Sequence, residues 1–267
     1  MKILPCPARL VAGLALLTLS ALSLGAEPVP LVHAHAHNDY QHKRPLLDAL
    51  DHGFCSVEAD VHLVDGQLLV AHNRLQTKPG RTLQALYLDP LRERIKQNGS
   101  INPAGQEFTL LVELKSDWHT SYPVLRDLLK QYSGMLTTFR AGAKETNAIR
   151  VIITGNRSME MFAGEAIRYA SMDGDLADLD SDKPADLIPW VSSNWGHSFK
   201  WHGSGAIPDA DKLKLKAIVA KAHQQGRRVR FWGAPDQPVF WGEMLANGGD
   251  LINTDDLDGA QKFLLKN

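Results

Sequence analysis

The sequence predicts a single-domain α/β protein with the (β/α)8 TIM-barrel fold. Short apolar runs typical of strands alternate with helical runs after residue 26, and this alternation favours a parallel sheet. The 267 residues accommodate eight such units, since barrels of this kind need about 250 residues. Ionisable residues also recur near the ends of the early strand candidates, where such barrels place active sites.

Nine segments are predicted strands: residues 30–36, 54–61, 67–72, 108–115, 149–154, 166–172, 187–193, 227–232 and 250–254. The segment 67–72 is expected to be a short extra strand beside the second, which leaves eight for the barrel. Helical runs between them include 44–53, 122–132 and 211–226. The last run ends at Gly226, a favourable residue at a helix C-terminus.

Residues 1–26 are predicted to be a signal peptide. Lys2 and Arg9 precede an apolar run over residues 10–24, which is shorter than the roughly 20 residues of a membrane span. We expect a periplasmic or secreted mature domain, residues 27–267, without a stable membrane span; a retained anchor is the alternative. The net charge of −1, with no basic stripe, argues against a nucleic-acid partner.

Polar side chains occupy alternate positions on three predicted strands, so each set shares one face. They are His33, His35 and His37 on the first strand, Glu58, Asp60 and His62 on the second, and Glu113 and Lys115 on the third. We expect these faces to point into the barrel. A buried carboxylate is costly unless it is paired or bound to a metal. Three carboxylates at one rim therefore predict a divalent cation, Mg²⁺ or Ca²⁺, held by Glu58, Asp60 and Glu113.

Two histidines lie at the ends of neighbouring predicted strands, His37 and His72. A pair of imidazoles can divide proton transfer between an attacking hydroxyl and a leaving oxygen. Lys115 lies beside the carboxylates and is predicted to contact a phosphate oxygen as a point charge. Together with a cation that neutralises a phosphoryl group, these residues predict the hydrolysis of a phosphodiester.

Several motifs resemble a known family. They are His37-Asn38, Glu58-x-Asp60, DGQLLVAHN with His72, and VELK with Glu113 and Lys115. In these motifs the chain resembles the glycerophosphodiester phosphodiesterases of the phosphatidylinositol-specific phospholipase C-like superfamily. The opening HAHNDY and the later SSNWGHSFKWHGSG, RRVRFWGAPD and DLINTDDL resemble the "altered inheritance of mitochondria" branch.

The resemblance implies a barrel with one Mg²⁺ or Ca²⁺ on the three carboxylates, and His37 and His72 as the acid/base pair. It also implies a small-molecule or lipid-derived phosphodiester substrate contacted by Lys115. The chain departs from the family pattern at Asn38, where the family has an arginine that contacts phosphate. We expect Arg44 to replace it, and we expect Asn38, Asn194 and Trp232 to complete the substrate contacts.

Two other functions remain open from the sequence. His35-x-His37 also resembles the opening of zinc-dependent amidohydrolase-like barrels, although residues 149–193 lack the further histidines which that chemistry needs. A non-catalytic barrel that binds a phosphate ligand is the second alternative. Asp173 is the best site candidate of an acidic segment, and the tryptophans after the late strands either line a pocket or pack helices: Trp195, Trp201, Trp232 and Trp241.

Overall fold

Short strands alternate with helices throughout the part of the chain that this computed structural model describes, residues 27–140 and 142–266. The strands are β1 (Ala34–Ala36), β2 (Ser56–Val64), β3 (Gln67–Val70), β4 (Phe108–Leu114), β5 (Thr138–Arg140), β6 (Ala143–Glu145), β7 (Ile149–Gly155), β8 (Ile167–Arg168), β9 (Ser171–Gly174), β10 (Trp190–Asn194), β11 (Arg228–Trp232) and β12 (Ile252–Thr254). The predicted signal peptide lies outside the described residues.

Helices follow most of the barrel strands. They are α1 (Leu47–Asp51), α2 (Asp89–Asn98), α3 (Trp118–Lys130), α4 (Met159–Ala163), α5 (Trp195–Ser198), α6 (Asp209–Gln224), α7 (Pro238–Ala246) and α8 (Leu257–Leu264). A π-helical turn, Gln84–Leu88, leads into α2, and four short 3₁₀ turns are Asp39–Gln41, Arg74–Gln76, Ser133–Met135 and Leu176–Asp180. In the described ranges, no helix is both long and apolar enough to cross a membrane.

Eight parallel strands form a nearly closed barrel, which confirms the predicted fold class. Their order is β12-β1-β2-β4-β7-β9-β10-β11, and the two end strands of this path lie against each other. The extra strand β3 pairs antiparallel with β2, as the sequence predicts for residues 67–72. Parallel pairing brings the carboxyl ends of all eight strands to one rim of the barrel.

The predicted strand 166–172 is wrong in its extent. Ile167 and Arg168 belong to a separate antiparallel sheet with the order β6-β5-β8, and the barrel strand begins only at Ser171. The guanidinium of Arg168 lies 4.6 Å from the ring centroid of Phe139 in β5, which ties this short strand to the side sheet. The sequence of residues 166–172, AIRYASM, carries no sign of this division.

The two faces of the barrel strands bury different groups. Small and branched apolar residues on the outer faces, such as Val57, Ala59 and Val112, join the large core beneath the helices. Inside the barrel, a small apolar cluster fills the part nearer the strand N-termini: Leu111, Ile152, Trp190 and Leu251. Residues two positions later on the same strand face are polar, so polar groups follow this apolar cluster toward the carboxyl rim.

Candidate active site

A cavity of about 610 Å³ opens at the carboxyl rim of the barrel. The residues predicted from the sequence that line it are His37, Asn38, Glu58, Asp60, His72, Glu113, Lys115, Asn194 and Trp232. The side chains come from strands across the whole chain, from β1 to β11. The barrel topology therefore brings together groups that are far apart in the sequence.

The three predicted carboxylates meet at one side of this cavity. Asp60 and Glu113 are paired positions on the neighbouring strands β2 and β4, and Glu58 precedes Asp60 on the same face. One oxygen from each carboxylate lies within 4.8 Å of the other two. Glu58 and Asp60 are buried, and Oδ1 of Asp60 has no hydrogen-bond partner among the described residues. An unpaired oxygen within an all-carboxylate set fits a hard divalent cation such as Mg²⁺ or Ca²⁺.

Electrostatic repulsion within this set is visible in the pKa of Asp60. Burial raises that pKa, and the negative charges of Glu58 and Glu113 raise it further. The hydroxyl of Tyr40 and the ammonium of Lys115 lower it only in part, so the pKa of Asp60 is about 6. The three carboxylates therefore hold more negative charge than the surrounding side chains neutralise.

Lys115 is the positive side chain nearest to the carboxylates. Its Nζ lies 2.8 Å from Oε1 of Glu113 and 3.1 Å from Oδ2 of Asp60. Burial lowers the pKa of Lys115, but the hydrogen bond and charge of Glu113 and the charge of Asp60 outweigh that effect and raise it. The amine thus stays protonated beside the carboxylates, where it can contact an anion.

His37 directly follows β1 and contacts both a carboxylate of this set and Asp255, the residue after β12. Its Nδ1 lies 3.0 Å from Oδ1 of Asp255, and its Nε2 lies 3.6 Å from Oε2 of Glu58. Burial lowers the pKa of His37, but the hydrogen bond to Asp255 and the charge of Glu58 raise it more, so the net pKa lies above its usual value. Asp255 thus positions the imidazole and strengthens it as a base, a contact that the sequence did not predict.

His72 follows β3 on the other side of Asp60. Its Nδ1 lies 3.1 Å from Oδ2 of Asp60 and 3.2 Å from the hydroxyl oxygen of Tyr40. The side chain is 52% exposed, which leaves the rest of the ring open to the cavity. The same Tyr40 hydroxyl lies 2.7 Å from Oδ2 of Asp60 and 2.6 Å from Oδ1 of Asn38. Tyr40 therefore links the two loops that carry the histidines.

The segment from His37 to Leu46 is a strained turn held by a buried carboxylate. Asn38 and Leu46 both have left-handed φ angles, 49° and 65°. Oδ2 of Asp39 accepts hydrogen bonds from the Leu46 amide at 2.6 Å and the Tyr87 hydroxyl at 2.8 Å. Positive φ angles at such residues persist only where the surrounding structure fixes them. Asp39 therefore keeps the turn that presents His37.

Asp173 on β9 and its neighbours on β7 and β10 form a second polar group that lines the cavity. Oδ2 of Asp173 accepts a hydrogen bond from Thr154 at 3.1 Å, and Oδ1 accepts one from Ser192 at 2.8 Å. Burial raises the pKa of Asp173, and the charge of Arg230 lowers it in part. Asp173 was the best candidate of its acidic segment, whereas Arg230 was not predicted as a site residue. The sequence held one signal for Arg230. Arg228, Arg230 and Trp232 alternate along the strand and share one face, and Trp232 was predicted to lie at the rim.

The structure places Arg44 away from the site, so its predicted role in phosphate binding is wrong. Its Nε lies 2.7 Å from Oδ1 of Asp48, and the side chain also pairs with Asp51. Both partners belong to α1, next to Arg44 in the sequence, and they hold the guanidinium on the surface of that helix. Arg44 does not line the cavity.

The remaining histidines do not support a zinc centre. His35 is fully buried, and its Nδ1 lies 2.7 Å from Oγ of Ser56 while its ring packs edge-on against Trp190. Among residues 27–140 and 142–266, the three carboxylates form the group that could hold a metal, and this group contains no histidine.

The four late tryptophans divide into two sets. Trp232 is 41% exposed and lines the cavity, whereas Trp195, Trp201 and Trp241 are buried in the core.

Comparisons with known proteins show the family and agree with the fold. Residues 24–173 match the AIM6-like phosphodiesterase domain. The "Altered inheritance of mitochondria protein 6" of Eremothecium gossypii is 30% identical over 91% of this chain and 72% of its own length. A homologue from Arthroderma benhamiae is 26% identical over 90% of this chain and 85% of its own length. A glycerophosphodiester phosphodiesterase structure from Agrobacterium tumefaciens has a TM-score of 0.51 and 16% identity, covering 87% of this chain and 99% of that chain. This structure supports the fold.

Proposed function

Since the chain belongs to the AIM6-like phosphodiesterase domain family, we propose that its phosphodiesterase-like barrel hydrolyses phosphodiesters with a divalent cation and two histidines. The observation that carries the proposal is the grouping at one rim. Three carboxylates with an unpaired oxygen on Asp60 lie beside Lys115, and His37 and His72 contact the same carboxylates. Such a set supplies cation ligands, a phosphate contact and a proton donor and acceptor within one cavity.

The carboxylates Glu58, Asp60 and Glu113 would hold the cation, Mg²⁺ or Ca²⁺. When bound, it would neutralise charge on the phosphoryl group and orient that group for attack. Lys115 would contact a second phosphoryl oxygen through its protonated amine. A bound cation would also explain why three carboxylates are placed together, where burial and then the charges of Glu58 and Glu113 raise the pKa of Asp60.

Proton transfer would use the outer nitrogens of the two histidines. Nδ1 of His37 is engaged by Asp255, and Nδ1 of His72 is engaged by Asp60 and Tyr40. Nε2 of His72 would therefore face the substrate. Nε2 of His37 lies 3.6 Å from Oε2 of Glu58 and 3.5 Å from Nδ2 of Asn38, and the substrate would replace these long contacts. One histidine would accept the proton of the attacking hydroxyl, and the other would donate a proton to the leaving oxygen.

We propose a glycerophosphodiester or the headgroup part of a phospholipid as the substrate. The cavity volume of about 610 Å³ lies in the range of small-molecule sites. Asn38, Asn194 and Trp232 lie at its rim, where amide groups and an exposed indole can contact the alcohol part. We also propose export to the periplasm or medium through residues 1–26, which cell fractionation of the full chain would test.

The direct test is hydrolysis of a panel of glycerophosphodiesters by the purified protein, with added Mg²⁺ or Ca²⁺ and with chelator. We expect activity that requires the cation and that falls by about 10²–10⁴-fold in His37→Ala and His72→Ala. His119→Ala is the matched control, because this histidine lies exposed on α3, and it should retain full activity. Activity that ignores both the chelator and the two histidine substitutions would refute the proposal. Tight binding of a phosphodiester without turnover would instead favour the non-catalytic barrel.

A further inference from the structure

Arg230 is a buried arginine that faces the interior of the barrel. It lies on β11 between the buried outward-facing residues Val229 and Phe231, and its neighbour on β10 is Ser192. Only 4% of the residue is exposed, yet it lines the cavity at the carboxyl rim. The guanidinium is therefore reached from solvent only through the proposed catalytic cavity.

The hydrogen-bonding capacity of this guanidinium is largely unused. Nη2 lies 3.5 Å from Oε1 of Glu58, a long contact with one proposed cation ligand. Nε and Nη1 have no hydrogen-bond partner among the described residues. A buried donor without a partner is costly, and a charged one more so. The structure thus keeps charged donors free beside the cation ligands.

We propose that Arg230 is an anion-binding residue that holds the phosphoryl oxygens of the substrate opposite the cation. This inference rests on the proposed function and adds a residue to it. The planar guanidinium can donate two parallel hydrogen bonds to a phosphoryl group, a geometry that an ammonium cannot offer. A phosphoryl group could take two parallel hydrogen bonds from one edge of the guanidinium, either Nε with Nη2 or Nη1 with Nη2. Either edge would give a partner to one of the two nitrogens that lack one.

Two other arginines help to single out Arg230. Arg157 also lines the cavity, but it is only half-buried and its Nη1 lies 3.4 Å from the carbonyl oxygen of Gly155. Arg228 lies two residues before Arg230 on the same strand face. Its Nη2 donates to the carbonyl oxygens of Val32 at 2.7 Å and Asp250 at 3.1 Å, and it does not line the cavity.

The test is calorimetric titration of inorganic phosphate into the purified protein, with Mg²⁺ and separately with chelator. We expect the wild type to bind phosphate in the Mg²⁺ arm, and Arg230→Met to bind it about 10- to 100-fold more weakly. Arg230→Lys keeps the charge but loses the fork, so its affinity should fall between the two. Arg228→Met is the matched control on the same strand and should bind phosphate like the wild type.

Kinetics provide the second measurement. On any phosphodiester that the wild type hydrolyses, Arg230→Lys should lower kcat/KM about tenfold or more while its circular dichroism stays unchanged. Should Arg230→Met fail to fold, Arg230→Lys carries both measurements. The inference is overturned if Arg230→Lys binds phosphate as tightly as the wild type, if the wild type binds none, or if only Arg157→Met weakens binding. Arg230-dependent phosphate binding without any phosphodiester hydrolysis would support this inference and refute the proposed function.

Discussion

Asp39 makes the folding stability of this protein depend on pH in a way that one substitution should remove. Burial raises the pKa of Asp39 to about 6 from an ordinary value of 3.8, although the Leu46 amide and the Tyr87 hydroxyl lower it in part. A carboxyl with a raised folded-state pKa favours the neutral form. Its contribution to stability is therefore complete below about pH 4 and is lost as the pH rises through about 6.

The magnitude follows from the shift. Two pKa units correspond to about 3 kcal/mol, which is the cost of holding Asp39 ionised near pH 7.5 relative to a neutral group of the same shape. Asp39→Asn keeps an oxygen that can accept from Leu46 and Tyr87, so we expect a gain of about 2–3 kcal/mol near pH 7.5. Near pH 4 the gain should fall below about 1 kcal/mol, because Asp39 is then already protonated in the folded protein.

Urea unfolding followed by circular dichroism at both pH values measures these differences. Asp127→Asn, at an exposed position on α3, is the control and should change the free energy of unfolding little at either pH. The same gain for Asp39→Asn at both pH values, or a loss near pH 7.5, would show that a buried ionised Asp39 is not what limits stability.

Three further predictions concern the site. Glu113→Gln should weaken Mg²⁺ or Ca²⁺ binding by about tenfold or more, since one of three charged ligands is lost; cation-induced shifts in Tm would measure this, and an unchanged shift would contradict it. Gly155→Ala should lower activity, and it should lower the free energy of unfolding by about 2 kcal/mol. Gly155 has a φ of 79°, and an added Cβ would lie 2.6 Å from the Leu114 carbonyl oxygen and 2.7 Å from Cγ of Glu113. Asp255→Asn removes a negative charge that raises the pKa of His37. The acidic limb of the kcat/KM profile should then move to lower pH, and a limb that stays in place would exclude His37 as the base.

Much of the barrel could be predicted because strand and helix patterns are local. Each barrel strand pairs apolar residues on its outer face with polar or bulky residues inside, as Val57 and Glu58 show on β2. The side sheet escaped prediction because β5, β6 and β8 are two or three residues long, too short for a periodic pattern. The division of 166–172 between two sheets is decided by tertiary contacts of Arg168 rather than by its own sequence.

The grouping of the predicted site residues followed from the same local reasoning. Alternation along β2 and β4 puts Glu58, Asp60 and Glu113 on inner faces, and parallel pairing brings them to one rim. The partners of the histidines were harder to predict. Asp255 directly follows the last strand, and Tyr40 belongs to a turn with unusual backbone angles, so neither contact has a signal in the sequence near the histidines.

Arg44 and Arg230 show that nearness in the sequence does not predict which arginine lies at the cavity. Arg44 is near His37 in the sequence, but it pairs with Asp48 and Asp51 of the following helix, α1, instead. Arg230 is far from His37 in the sequence, but the closing of the barrel brings it within 3.5 Å of Glu58. Proximity in sequence thus favoured an exposed arginine over a buried one.

The central claim is that the carboxylates, a cation and the two histidines act together on a phosphodiester. Phosphorus NMR of a glycerophosphodiester incubated with the wild-type protein tests this most directly. We predict that the diester resonance converts to a phosphomonoester or cyclic phosphate resonance with Mg²⁺ or Ca²⁺, and that it persists with chelator or in the His37→Ala, His72→Ala double variant. A diester resonance that converts equally in all of these samples, or in none of them across a broad substrate panel, would contradict the claim.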